Sequence, residues 1–339
     1  MKRTTITDVA ELAGVSRSAV SKVLRNAYGI SDEMRRCVEK AMKDLSYRPQ
    51  IAARGLRGST FTLGVVMPEM RNVFFSDIMD GVWSALQKTP YQPLHAIRPT
   101  LEATERPLIE RMCDHKIDGF IMIAPLLDHD YLWQLATTIP TVVIGRHESG
   151  GGFDTVNNDD ELGARLVVDH LVEQGHQRIG YFNLAPPDDT AVNPAVFRLK
   201  GYLDAMREKG LARHIFVRDG NVRAGEGNNR LIALDMLQGK HRPTAIFGWS
   251  DRVALTVLSV ANELGMRIPE DVAVVGYDNS QLCDVSQISL TSIDQDGHLL
   301  GAEAAELLIR RIEGRTEEVH FVTPPKLVVR RSSCLPGAE

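Results

Sequence analysis

Long apolar runs are missing from this 339-residue chain. No stretch approaches the roughly 20 residues a membrane-spanning helix needs. The first residues lack the apolar segment and small-residue cleavage site of a signal peptide, so a cytoplasmic protein without membrane contact is expected. Cysteine is scarce: Cys37, Cys113, Cys283 and Cys334 are scattered and form no C-x-x-C pair. Structural disulfides are therefore not expected. None of the ten histidines lies three or four residues from another, which removes support for a helix-borne zinc site. Catalytic signatures are equally thin. The glycine-rich stretches SGGGF (149–153) and AGEGNN (224–229) neither follow a strong strand nor open a helix in G-x-G-x-x-G form, and G-x-S-x-G and H-E-x-x-H do not occur. Asp128, His129 and Asp130 stand together, but in a polar loop before a helix they read as caps. No catalytic residue, metal or cofactor is expected.

What is present is an ordinary globular composition, 43% hydrophobic and 24% charged, in a chain long enough for two or three domains. The net charge of −5 hides an asymmetry. Residues 1–60 carry 12 Lys and Arg against 6 Asp and Glu, whereas the remainder carries 27 against 38. A basic head on an acidic body is the pattern of a protein whose head alone meets a polyanion.

The head opens with TITDVAELAGVSRSAVSKVLRN, residues 5–26. Thr7 is placed to cap a first helix, with Asp8 and Glu11 near its positive end and Val9, Leu12 and Ala13 on an apolar face. Gly14 falls where a tight interhelical turn requires positive φ. Ser16 caps a second helix with Val20, Val23 and Leu24 on one side and Arg17, Ser18, Ser21, Lys22 and Arg25 on the other. Three cations and no anion on the polar side suit a helix entering the DNA major groove, although a solvated helix in a small bundle has the same pattern. Ser31 caps a third helix, whose Met34, Val38, Ala41, Met42 and Leu45 close a core against Val9, Leu12, Val20 and Leu24 until Pro49 ends it. The next segment, QIAARGLRG (50–58), is too short for a helix stable in water alone. It reads either as a plain linker or as a segment that folds on DNA, with Arg54 and Arg57 near phosphates and Leu56 as a minor-groove wedge.

These residues, together with SDEMRRCVEKAMKDLSYRPQIAARGLRG, resemble the DNA-binding head and hinge of the lactose/galactose repressor (LacI/GalR) family in register over almost 60 residues. The resemblance implies a DNA-contacting set of Thr5, Thr7, Ser16, Arg17, Ser18, Ser21, Lys22, Arg25 and Asn26 in the head, and Ala53, Arg54, Leu56 and Arg57 in the hinge. Within it Arg17, Ser18 and Lys22 take the base-reading positions and Leu56 the intercalating one. Many members carry arginine where Lys22 stands; lysine lacks the planar fork, so the base preference differs.

From Phe61 onward, apolar runs alternate with helical patterns. The runs are FTLGVVM (61–67), YQPLHAI (91–97), KIDGFIMIA (116–124), TVVIG (141–145), RIGYFN (178–183), TAIFGW (244–249) and DVAVVGY (271–277), with helices such as 75–88 and 159–174 between them. Near-continuous apolar strands separated by helices predict α/β lobes built on doubly wound parallel sheets, too many strands for one sheet. The family implies a two-lobed, periplasmic-binding-protein-like body. The expected organisation is a helix-turn-helix domain at 1–49, a hinge at 50–60 and a body at 61–339. One lobe takes about 61–159 and 293–322, the other about 160–292 and 323–339, with crossings near Asn157–Asp160, Ser292–Asp294 and Val322–Pro324.

Ligands of such sheets sit beyond the carboxyl ends of the strands. After the first run come Asn72, a hydrogen-bonding group, and Phe74 and Phe75, which either stack on a ligand or pack the lobe core. Arg146 follows TVVIG, as a cleft residue or a surface ion pair. Trp249 ends its run facing cleft or core, and Ser250 and Asp251 follow, one of them capping the next helix. Asp278 follows DVAVVGY, well placed to accept hydroxyl hydrogen bonds. By resemblance Arg198, Asp278 and Gln295 match effector-binding positions. Val73, Gly145 and Ser250 depart from residues common in the family, which leaves the effector open.

The expected function is a repressor of carbohydrate-utilisation genes. As a homodimer on pseudo-palindromic double-stranded operator DNA, it would respond to a sugar between the lobes. A purine or phosphosugar effector is the alternative, with Arg146 as the extra cation. A transport protein fits the body but not the basic head, and the tail RSSCLPGAE is too short for a tetramerising coiled coil.

Overall fold

The computed structural model of the chain describes residues 4–24, 28–47, 59–98, 102–185, 192–221 and 225–334. The chain divides into two compact units, Met1–Thr60 and Phe61–Glu339.

In the first unit, α1 (Ile6–Ala13), α2 (Arg17–Leu24) and α3 (Asp32–Asp44) enclose Val9, Ala10, Val20, Val23, Val38 and Ala41. The cap of α1 is Thr5, not the expected Thr7. The Thr5 side chain accepts from the Asp8 N–H, while the Asp8 carboxylate accepts from the Thr5 N–H at 2.7 Å. This reciprocal box satisfies two helix-end donors at once, an option Thr7 lacks. Gly14 adopts φ +66 and donates its N–H to the carbonyls that end α1. Ser16 and Ser31 accept from the Ala19 and Met34 N–H groups at the starts of α2 and α3. Leu12 is 54% exposed rather than in the core, where Val9 and Ala10 are the buried residues of α1.

The second unit holds two sheets. In chain order its elements are β1 (Thr62–Met67), α4 (Phe74–Leu86), β2 (Gln92–Ile97), α5 (Glu102–Asp114), β3 (Gly119–Ile123), α6 (His129–Thr138), β4 (Thr141–Ile144), β5 (Asp154–Asn158), α7 (Asp160–Glu173), β6 (Ile179–Ala185), α8 (Pro194–Glu208), β7 (Phe216–Asn221), α9 (Gly225–Gln238), β8 (Ala245–Gly248), α10 (Asp251–Glu263), β9 (Ala273–Tyr277), β10 (Thr291–Asp294), α11 (Gly297–Ile312), β11 (His320–Thr323) and β12 (Lys326–Val328). The first sheet runs β11-β5-β4-β3-β1-β2 and the second β12-β10-β9-β8-β6-β7, with β12 the antiparallel member. The chain passes between sheets after β5, β10 and β11.

The apolar runs of the inner strands are continuous because both of their faces are covered, whereas β2, at the edge of the first sheet, leaves Leu94 and Ile97 exposed. Leu63, Val65, Ile121 and Ile123 point toward α4 and α11, whereas Val66, Phe120 and Met122 point into a separate core with Ile109, Leu132 and Leu135. The second sheet repeats this arrangement, Tyr181 and Phe247 on one side and Phe182 and Ile246 on the other. Strands β5, β7, β10, β11 and β12 have no counterpart among the apolar runs. Their sequences, such as DTVNN in β5, are polar or short.

Helices α4 and α11 cross with glycine on both sides. A Cβ on Gly301 would overlap the Ile78 carbonyl, and one on Gly81 the His298 carbonyl, so backbone rather than a flexible side chain blocks each. Gly301→Ala is expected to destabilise this unit by about 1–3 kcal/mol, the usual cost of overpacking. All three tryptophans, Trp83, Trp133 and Trp249, lie in this unit. A urea titration followed by tryptophan fluorescence therefore reads it selectively.

Candidate functional site

On the first unit, Ser16, Arg17, Ser18 and Lys22 are exposed along α2 and Thr5 is exposed just before α1. Thr7 is half-buried. The Ser16 and Ser18 hydroxyls lie 2.8 Å apart. Among the described residues Arg17 and Lys22 form no ion pair, so both cations are available to a polyanion. Ser21 is a correction: at 7% exposure it turns inward with Val20 and Val23 instead of joining the open face. Arg25, Asn26, Ala53, Arg54, Leu56 and Arg57 lie outside the described residues, as does most of the expected hinge.

In the second unit the carboxyl ends of the two sheets face one another across a cavity of about 100 Å³. Asn72, Phe74, Phe75, Arg198, Trp249, Ser250, Asp278 and Gln295 all line it. Asn72 follows β1, Trp249 and Ser250 follow β8, Asp278 follows β9 and Gln295 follows β10. The strand-end rule thus converges on one place. Both phenylalanines line the cavity and also pack against the core of their sheet.

The polar groups form one connected set. The Arg198 guanidinium donates from Nε to Asp160 at 2.6 Å, from Nη1 to the Trp249 carbonyl at 2.8 Å and from Nη2 to Gln295 Oε1 at 3.3 Å. It lies 3.6 Å from the Tyr277 ring centre and 4.4 Å from that of Trp249. Gln295 Nε2 donates to Asp278 Oδ1 at 2.7 Å, and Asn72 Nδ2 reaches Asp278 Oδ2 at 3.3 Å from the opposite sheet. Burial lowers the proton affinity of Arg198, but the Asp160 charge beside it prevails and raises it. Burial likewise pushes the Asp160 carboxyl up, and the charge of Arg198 with the hydrogen bond from His147 brings it below its usual value. Asp278 is raised well above the usual carboxylate range, first by burial and then by the charge of Asp251.

Two expectations fail here. Arg146 does not line the cavity. Its guanidinium is buried beside Glu148 and donates to the Leu127 carbonyl at 2.9 Å, because Glu148 two residues on supplies the counter-charge. Ser250 stands at the N-cap of α10 but its side chain makes no cap bond, and Asp251 turns to the 280–292 region. Residues missed from sequence are Asp160, Asn157 and Asn158, which line the cavity. The sequence placed 157–160 only at a chain crossing, and in the structure Asp159 caps α7 while Asp160 faces the cavity.

Comparison with known proteins agrees with this geometry. Residues 5–50 match the model of the bacterial regulatory proteins of the lacI family, and residues 168–333 match a periplasmic binding protein-like domain. The HTH-type transcriptional repressor PurR of Vibrio atlanticus is 32% identical over 332 residues, covering 96% of this chain and 97% of that protein. Its namesake from Photobacterium profundum is 30% identical over 336 residues, covering 97% and 98%. Among solved structures, the lac repressor dimer bound to operator and an anti-inducer superposes with a TM-score of 0.84 at 26% identity, covering 98% of this chain and 100% of that one. The transcriptional regulator CelR in complex with cellobiose gives 0.70 at 30% identity, covering 97% and 100%. A basic helix-turn-helix unit, two doubly wound sheets closing on a polar cavity, and relatives alike from end to end lead to one conclusion: the chain belongs to the lacI family of bacterial regulatory proteins and is a DNA-binding transcriptional repressor, not an enzyme.

Proposed function

We propose that this repressor changes its operator affinity when a small neutral polyhydroxy molecule, a sugar, is held between the two sheets. The charge inventory of the cavity carries the reading. Among its described lining residues stand one cation, Arg198, one carboxylate, Asp160, and the carboxyl of Asp278, whose proton affinity is raised. Arg198 is already matched by Asp160, and Arg146 is spent on Glu148. Among the described lining residues a phosphate would find no free counter-charge, at a large desolvation cost. Hydroxyls, by contrast, both donate and accept, and match Asp278, Asn72, Gln295 and Arg198 without adding charge. Trp249, Phe74 and Phe75 offer apolar faces for the ring.

The Asn72–Asp278 bond joins the two sheets across the cavity, so a ligand enters by exchanging that bond for its own contacts as the lobes part. Ligand acts on DNA binding only through its differential affinity for the two lobe arrangements. The operator is read as an approximate palindrome by a homodimer. A flat purine base is the second reading, favoured by the aromatic walls and the relatives named PurR.

Calorimetric titration with D-glucose, D-ribose, cellobiose, glucose 6-phosphate and guanine separates these. A neutral sugar is expected to bind and to shift operator affinity at least about tenfold, or 1.4 kcal/mol. Asp278→Ala should remove that shift and leave DNA affinity without sugar unchanged. Binding of guanine or the phosphosugar alone would replace the sugar reading.

A further inference from the structure

The loop after β9 is anchored on a buried carboxylate that does not itself line the cavity. Asp251, the first residue of α10, is 2% exposed. It accepts from the Ser292 hydroxyl at 2.5 Å, the Ser280 N–H at 2.7 Å and the Cys283 thiol at 3.1 Å. The Ser292 oxygen in turn accepts from the Asn279 N–H at 3.0 Å. One carboxylate therefore fastens positions 279, 280 and 283, directly or through one hydroxyl. The backbone it fastens is strained: Asp278 has φ 115 and Asn279 φ 47, and neither is glycine. Such conformations persist only where surrounding contacts over-determine them. Asp251 also packs on Gly276, where any Cβ would collide with its carboxylate.

We propose that Asp251 is the positioning residue for Asp278, holding the 279–283 backbone in the conformation that aims the Asp278 carboxylate at the cavity. This assignment rests on the reading of the cavity as the ligand site. Besides position, Asp251 sets charge. Asp278 faces Arg198 from α8, Asp251 from α10, and the neutral amides of Asn72 and Gln295, with Cys283 behind its loop. Burial raises the Asp251 carboxyl as well, and its charge, once present, raises Asp278 beyond the effect of burial. Removing that charge must lower the midpoint at which Asp278 titrates. A residue that merely supported the fold would not move it.

The test is Asp251→Asn in the full-length protein, whose amide nitrogen cannot accept the donors aimed at it. Hydrogen exchange at the Asn279 and Ser280 amides should accelerate about tenfold or more, while Val274 and Val275 in β9 stay protected. The carboxyl carbon resonance of Asp278 should titrate at lower pH than in the wild type. Affinity for whichever of D-glucose, D-ribose or cellobiose binds the wild type should fall at least about tenfold. Ser292→Ala, which keeps the charge and cuts the tether to Asn279, should accelerate exchange there without lowering the Asp278 midpoint. Unchanged exchange at 279 and 280 together with an unchanged Asp278 midpoint in a folded Asp251→Asn protein would overturn the assignment. If that variant does not fold, unchanged Asn279 exchange in Ser292→Ala overturns it. If no sugar binds the wild type, the sugar reading falls, and exchange and titration still decide on Asp251.

Discussion

Arg198→Met is expected to abolish the ligand response and to destabilise the two-sheet unit by about 3–5 kcal/mol, the usual cost of breaking a buried ion pair by removing one partner. The side chain is 4% exposed and spends its donors on Asp160, the Trp249 carbonyl and Gln295. Methionine fills much of the volume between the Tyr277 and Trp249 rings but supplies no charge. Asp160, 2% exposed, keeps the His147 ring as a hydrogen-bond partner at 2.7 Å but loses the guanidinium. The loss is large against a typical total stability of about 5–15 kcal/mol. Adding Asp160→Asn should restore a substantial part of the stability, since the stranded charge disappears, without restoring ligand binding. Urea titrations by tryptophan fluorescence and calorimetry on the same samples separate the two effects. Equal stability of Arg198→Met and wild type would show that the pair contributes no net folding energy.

The second large effect is expected far from the cavity. Asp154, fully buried at the start of β5, accepts from Arg311 at 3.0 Å, from Arg315 and from the Val319 N–H at 2.8 Å. Arg315 also donates to the Leu307 carbonyl at 3.0 Å, so this one carboxylate pins the end of α11 to the first sheet. Asp154→Ala strands two guanidinium groups that are 10% and 17% exposed, at a cost of about 3–5 kcal/mol. The effect carries a pH signature. Burial pushes the Asp154 carboxyl up, but the hydrogen bonds from Arg315, Arg311 and Val319 outweigh it, and the net direction is down. A folded-state value below the unfolded one, about 3.9, means the unfolded chain binds the proton more readily. The stabilisation is therefore complete above about pH 4 and fades as pH falls through the folded value. The stability gap between wild type and Asp154→Ala should narrow in urea titrations at pH 3 relative to pH 7, and a constant gap would contradict the ion-pair account.

Local patterns were legible in the sequence wherever the decisive physics is local or depends on one repeated environment. The glycine turn at Gly14, the Ser16 and Ser31 caps and the cationic side of α2 need only their neighbours in the chain. The apolar runs from TLGVVM to AVVGY are readable because both faces of a covered strand demand the same kind of side chain. The strand-end rule then delivered Asn72, Phe74, Phe75, Trp249, Ser250, Asp278 and Gln295 to one cavity, whereas Arg198, on α8, came by family resemblance. What tertiary structure decided is where polar groups find partners. β5, DTVNN, is invisible as a strand because its polar side chains are satisfied from afar: Asn157 by Arg146, Asn158 by Thr323 and Tyr277, Asp154 by Arg311 and Arg315. The same reason made Asp160 the counter-charge of Arg198, took Arg146 out of the cavity, and set Asp251 behind Asp278. A buried charge is stable only beside its complement; Arg146 finds its own two residues on in Glu148, whereas Arg198 and Asp154 find theirs far along the chain.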